Sequence, residues 1–113
     1  MTEVPARVLA FVPVRARDLL RTGGMPLLGG RPLMAYTVEA AKRARLVDRV
    51  VVSTDDEAVR RMASDLGAEA PFLRPAELAT AGTPLDRVLQ HCLGWLEEHE
   101  RYRADIVVRL EIS

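Results

Sequence analysis

Arg15, Arg17 and Arg21 fall within seven positions, directly after a short apolar run and in a stretch that also holds Gly23, Gly24, Gly29 and Gly30. Residues of these types suit phosphate chemistry. Arginine offers forked donors that match phosphate oxygens, and glycines let backbone amides approach an anion closely. Three guanidinium groups so close together are enough to offset a triphosphate. The same composition also describes a basic, solvated loop, and spacing alone does not separate the two readings.

Other residues carry weaker signals. Asp55 and Asp56 follow a second apolar run and are candidate metal ligands by type, but capping the next helix explains them without a metal. His91 and His99 have no cysteine or second histidine at ligand spacing, so they read as surface or packing residues. Cys92 is the only cysteine. That excludes an internal disulfide and a cysteine-based zinc site, and a reducing cytoplasm is the simplest setting. Cys92 itself reads as core rather than nucleophile.

The elements that would hold these residues follow from periodicity. Val8–Val12 is continuously apolar and meets Pro13, as expected of a central strand covered on both faces. Residues 15–31 show no clean period and read as one long loop, a feature that is usually functional in a compact domain. Pro32 suits a first helical position, and Met34, Val38 and Ala41 give an apolar stripe for a helix of about three turns. Val50–Val52 is a second buried strand. Thr54 and Glu57 sit at capping-box spacing; Val59, Met62, Ala63 and Leu66 then mark a helix that Gly67 ends in a left-handed turn.

After an extended piece near residues 68–72 and a loop through Arg74, Thr83-Pro84-Leu85-Asp86 reads as a cap hydroxyl and a proline opening another helix. Its stripe is Leu85, Val88, Leu89, Cys92 and Leu96, with Trp95 alongside, and it frays over residues 97–100. Ile106–Val108 is a third buried strand. This order predicts an α/β fold, a doubly wound and mainly parallel sheet. Ligands in such sheets bind beyond the carboxyl ends of the strands, here residues 13–17, 53–56 and 110–113.

Bulk properties narrow the function. At 113 residues the chain fits one ordinary domain or part of one. Sixteen basic residues balance sixteen acidic ones, which removes the electrostatic footprint of a non-specific nucleic-acid or membrane-surface binder. No stretch approaches the ~20 apolar residues of a membrane helix, and residues 8–12 are too short for a signal peptide.

Three blocks of the chain resemble the acylneuraminate and Kdo cytidylyltransferases. They are Gly29-Gly30-Arg31-Pro32-Leu33-Met34-Ala35-Tyr36-Thr37-Val38-Glu39-Ala40-Ala41, Leu46-Val47-Asp48-Arg49-Val50-Val51-Val52-Ser53-Thr54-Asp55-Asp56-Glu57, and Gly67-Ala68-Glu69-Ala70-Pro71-Phe72-Leu73-Arg74-Pro75-Ala76-Glu77-Leu78-Ala79, in the family's order and spacing. The resemblance covers nearly the whole chain but only the N-terminal, CTP-side half of the family's length. It implies a Rossmann-like sheet with the nucleotide-diphospho-sugar transferase topology. It also implies transfer of CMP from CTP to a sialic acid-like or Kdo-like sugar acid, with release of pyrophosphate and assistance by Mg²⁺, in a homodimer.

By that resemblance Arg15 contacts phosphates, with Pro13, Gly23 and Gly24 on the nucleotide side. Arg74 and Thr83 match nucleotide-side positions, and Glu111 stands where the family has glutamine. The family's glycine-serine-lysine run after the first strand is replaced by Ala16-Arg17-Asp18-Leu19-Leu20. Arg17 or Arg21 would then take the place of the missing lysine, so that Arg15, Arg17 and Arg21 are the catalytic candidates. No metal ligand is identified in the chain. The alternative is a truncated or degenerate homologue with a binding or structural role.

Overall fold

A computed structural model describes residues 6–21, 24–25 and 27–112. Its main sheet has three parallel strands in the order β4-β1-β5, namely β1 (Val8–Val14), β4 (Arg49–Thr54) and β5 (Ile106–Arg109). Helices α1 (Ala16–Arg21), α2 (Leu33–Arg43), α3 (Glu57–Asp65) and α4 (Leu85–Glu100) surround it. A small antiparallel ribbon, β2 (Leu27–Leu28) with β3 (Arg31–Pro32), stands apart from the sheet. The fold is α/β and mainly parallel, consistent with a Rossmann-like nucleotidyltransferase.

β1 is central and buried on both faces, which is why its sequence is apolar without alternation. Ala10, Val12 and Val14 face Met34, Val38 and Ala41 of α2 and Val59 and Ala63 of α3. Leu9 and Phe11 face Val88, Cys92 and Leu96 of α4 on the other side. Each of the larger side chains, such as Phe11, is worth roughly 2–3 kcal/mol by burial, so β1 anchors both layers.

Several local expectations are corrected. Residues 15–31 are not one long loop. They form α1 and the β2–β3 ribbon, whose turn uses Gly29 at φ 60° and Gly30 at φ 79°, the double left-handed geometry that two-residue hairpins need. Pro32 sits one position before α2, at its cap. Thr54 does not cap α3: Asp56 does, its carboxylate accepting from the Val59 amide at 3.0 Å, while Thr54 Oγ1 accepts from the Asp56 amide at 3.1 Å. Asp56, two residues nearer and at the cap position itself, places its carboxylate against the first-turn amides.

Thr83 does not cap α4 either, because Pro84 holds the cap position and makes no side-chain bond there. α4 does not fray after Leu96. It runs to Glu100 and is closed by Arg101 at φ 53°, whose amide reaches Glu97 O at 3.0 Å. Gly67, at φ 86°, ends α3 as expected.

β5 is a strand but not a buried one. Ile106 is 50% exposed and Val108 37%. Paired with Val8 and Ala10, they lie on the face that α2 and α3 cover over the other two strands, whereas Val107 points to α4. The edge position, not the composition, decides their exposure.

Candidate functional site

Parallel pairing brings the carboxyl ends of all three strands to one rim. A cleft of about 270 Å³ opens there, between β1, the residues after β5 and the start of α4. Pro13, Arg15, Arg74, Thr83 and Glu111, chosen from distant parts of the sequence, all line it. Leu78, Leu85, Val88 and Ile112 supply an apolar wall.

Two guanidinium groups define the polar side. Arg15 follows β1, and its Nη1 donates to Thr80 O at 2.8 Å. Arg74 is only 3% exposed. Its Nε donates to the Ser53 hydroxyl at 3.1 Å and its Nη2 to Ser53 O at 2.7 Å. The Arg74 amide also donates to Thr54 O at 2.7 Å. Side chain and backbone of Arg74 are thus both tied to the end of β4.

Thr83, freed from any capping role, shares a 2.7 Å hydroxyl–hydroxyl bond with Thr80 on the cleft rim. Glu111 adds one exposed carboxylate to the lining. Two cationic groups facing one anionic group and an apolar wall suit a ligand with an anionic part and a flat apolar part.

The remaining candidates lie elsewhere. Arg17 is exposed on α1 and does not line the cleft. The backbone of Arg21 belongs to α1, but its side chain, like Gly23, is outside the described residues. Gly24 lines a second, mainly apolar cavity of about 340 Å³ with Leu19, Met25, Val59 and Met62.

Asp55 and Asp56 both hold helix starts. Asp56 caps α3, and Asp55 accepts from the Ala16 amide at 2.8 Å, at the first turn of α1. Among the described residues no three His, Cys, Asp or Glu side chains gather as a metal cluster. The cleft's single carboxylate does not make a magnesium site without further oxygens, such as those of phosphates.

Sequence reasoning missed Ser53 and Thr80, which orient the two arginines. Ser53 is the penultimate residue of a buried strand, a position with no motif of its own; Thr80 acts through its backbone carbonyl, which carries no residue signal. His91 lies behind the cleft, its ring edge-on to Phe72 at 4.9 Å between centroids. Its Nδ1 is buried without a hydrogen-bond partner among the described residues. Burial first, and then the charge of Arg74, hold its pKa below the ordinary histidine value, against an upward pull from Glu77. His99 stacks on Trp95 at 4.2 Å. Cys92 is fully buried, and burial pushes its thiol up to about 12, so it is no nucleophile near neutral pH.

A parallel sheet with an arginine-lined cleft at its carboxyl rim defines an α/β protein of the kind that binds ligands at strand ends. The chain belongs to the cytidylyltransferase family, whose model matches residues 24–111. It is 33% identical over 97 residues to an N-acylneuraminate cytidylyltransferase of Escherichia coli, covering 85% of this chain and 23% of that relative. It is 40% identical over 75 residues to a CMP-N,N'-diacetyllegionaminic acid synthase of Legionella pneumophila, covering 66% and 32%. With a 3-deoxy-manno-octulosonate cytidylyltransferase of Anaeromyxobacter it shares 50% over 75 residues, covering 65% and 31%. The chain therefore spans about a third or less of the length of these relatives.

Proposed function

We propose that this chain forms the CTP-side part of an enzyme that transfers CMP from CTP to an acidic sugar, sialic acid-like or Kdo-like, and releases pyrophosphate. The observation that carries the reading is the meeting of Arg15, Arg74, Thr83 and Glu111 in one cleft at the sheet rim, in a chain of the cytidylyltransferase family. Related proteins are named for acylneuraminic, legionaminic, pseudaminic and 3-deoxy-manno-octulosonic acids, which supports a sugar acid as acceptor.

In this reading Arg15 and Arg74 offset phosphate charge, and the apolar wall of Leu78, Leu85 and Val88 takes the flat base. The chemistry is then mainly positioning and electrostatics. Arg17 and Gly24, which do not line the cleft, are given no part in this reading. Magnesium, which offsets charge on a triphosphate, has no donor set of its own in the described residues, so no step of the mechanism is assigned to it. We place the protein in the cytoplasm, where CTP is made available, and take the working form as a homodimer. No described helix is long and apolar enough to cross a membrane.

α1 favours a second reading. Where the family carries a glycine-serine-lysine run, this chain has a helix whose first amide is engaged by Asp55, which suits a homologue that binds without catalysing. CTP titration by calorimetry tests the common element: Arg15→Ala weakens CTP about tenfold if the guanidinium meets a phosphate. Unchanged affinity removes Arg15 from the site. Pyrophosphate release with CTP and a sugar acid then separates the catalytic reading from the binding one.

A further inference from the structure

We propose that Asp55 and Ser53, at the carboxyl end of β4, are positioning residues that set Arg15 and Arg74 relative to each other; the inference rests on the nucleotide reading of the cleft. The register pairs Pro13 with Ser53 and Val14 with Thr54. Arg15 and Asp55 are therefore the first residues beyond the carboxyl ends of two adjacent parallel strands. From that place Asp55 reaches across to the Ala16 amide at 2.8 Å, the residue that follows Arg15.

α1 has six residues, and a helix so short is marginal by itself. Its start needs a fixed acceptor, and Asp55 supplies one from the rigid sheet rather than from a local cap. The backbone that carries Arg15 is thereby locked to the end of β4. Its side chain then reaches Thr80 O on the far rim.

Ser53 does the same for Arg74. It is fully buried, and its hydroxyl and carbonyl take two separate nitrogens of one guanidinium, which fixes both the plane and the rotation of the group. Two residues apart, one the penultimate residue of β4 and one just beyond the strand, Ser53 and Asp55 hold the two basic walls of the cleft. Neither lines the cleft itself, so both act through another residue.

A double-mutant cycle on the full chain tests this, with CTP affinity read by calorimetry and folding read by thermal denaturation. Asp55→Ala weakens CTP about tenfold, while Asp55→Asn, which keeps the acceptor oxygen, stays within about twofold of the parent. In an Arg15→Ala background Asp55→Ala adds little further loss, because the coupled residue is already gone. A capping residue that served stability alone would lower the melting temperature equally in both backgrounds and leave CTP affinity untouched, which would overturn the proposal. Additive losses, or tighter CTP binding by Asp55→Ala, overturn it as well.

Should Asp55→Ala not fold, Ser53→Ala against Arg74→Lys gives the same cycle: a loss of about threefold in the parent and little in the Arg74→Lys background. Arg15→Ala alone distinguishes the two levels. If it leaves CTP affinity intact, the nucleotide reading fails first; if it weakens CTP and Asp55→Ala does not, only the positioning role fails.

Discussion

Arg49 and Arg74 are both largely shielded from water, yet the two ends of the sheet hold them with different chemistry. Arg49 opens β4 at the amino end. Its Nε donates to Glu69 at 2.8 Å, its Nη2 pairs with Glu100 at 2.9 Å, and its guanidinium lies 4.6 Å from the Tyr102 ring centroid. The hydrogen bond to Glu69 raises its pKa further above the ordinary arginine value. At the carboxyl end Ser53 accepts from Arg74 through a hydroxyl and a carbonyl, contacts that fix the plane of a guanidinium lining the cleft. The carboxylates around Arg49 brace the amino end of the sheet, whereas the Ser53 oxygens orient a guanidinium at the cleft.

Removing Arg49 tests the bracing side and has the largest expected effect on folding. Arg49→Ala leaves Glu69 and Glu100 without their shared cation and lowers stability by about 2 kcal/mol, discounted for the partial exposure of both glutamates. The melting temperature falls by about 10 °C, and CTP affinity of the folded chain is unchanged. If calorimetry shows affinity falling as well, the two ends are not separate and the comparison breaks.

Arg74→Lys tests the other side. Lysine keeps a charge but loses the fork that Ser53 holds, so CTP binding weakens about tenfold while folding stability drops by about 1 kcal/mol. A large melting shift with unaltered binding would make Arg74 a brace like Arg49.

The smallest effect is a pH dependence at His91. Because its folded pKa is lowered, the folded state binds fewer protons than the unfolded chain, so stability is full above the ordinary histidine value and declines as pH falls below it. His91→Gln removes that acid-side slope. Denaturant midpoints across acid to neutral pH check the sign, and a variant as steep as the parent would place the titration elsewhere.

Much of the architecture was legible in the residues. The unbroken apolar runs of β1 and β4 announce strands covered on both faces, and the stripe from Leu85 to Leu96 announces α4. Gly29-Gly30 held the hairpin signal, but the short flanking strands hid it inside an apparent loop. α1 was hard to see because contacts distant in sequence hold it, Asp55 at its first amide, 39 residues away, and the core against Leu19. The site was legible to the extent that it rests on charged residues in a family pattern, namely Arg15, Arg74 and Glu111.

The sequence by itself determined which segments are apolar, where glycine permits a left-handed turn, and which cations are available near the strand ends, because these depend on residue type and short spacing. Only the tertiary structure decided that Ser53 grips Arg74, that Thr83 bonds Thr80 instead of capping α4, and that Ile106 and Val108 face solvent. Those outcomes depend on strand order and register, which bring distant residues within hydrogen-bond reach and leave an edge uncovered whatever its hydropathy.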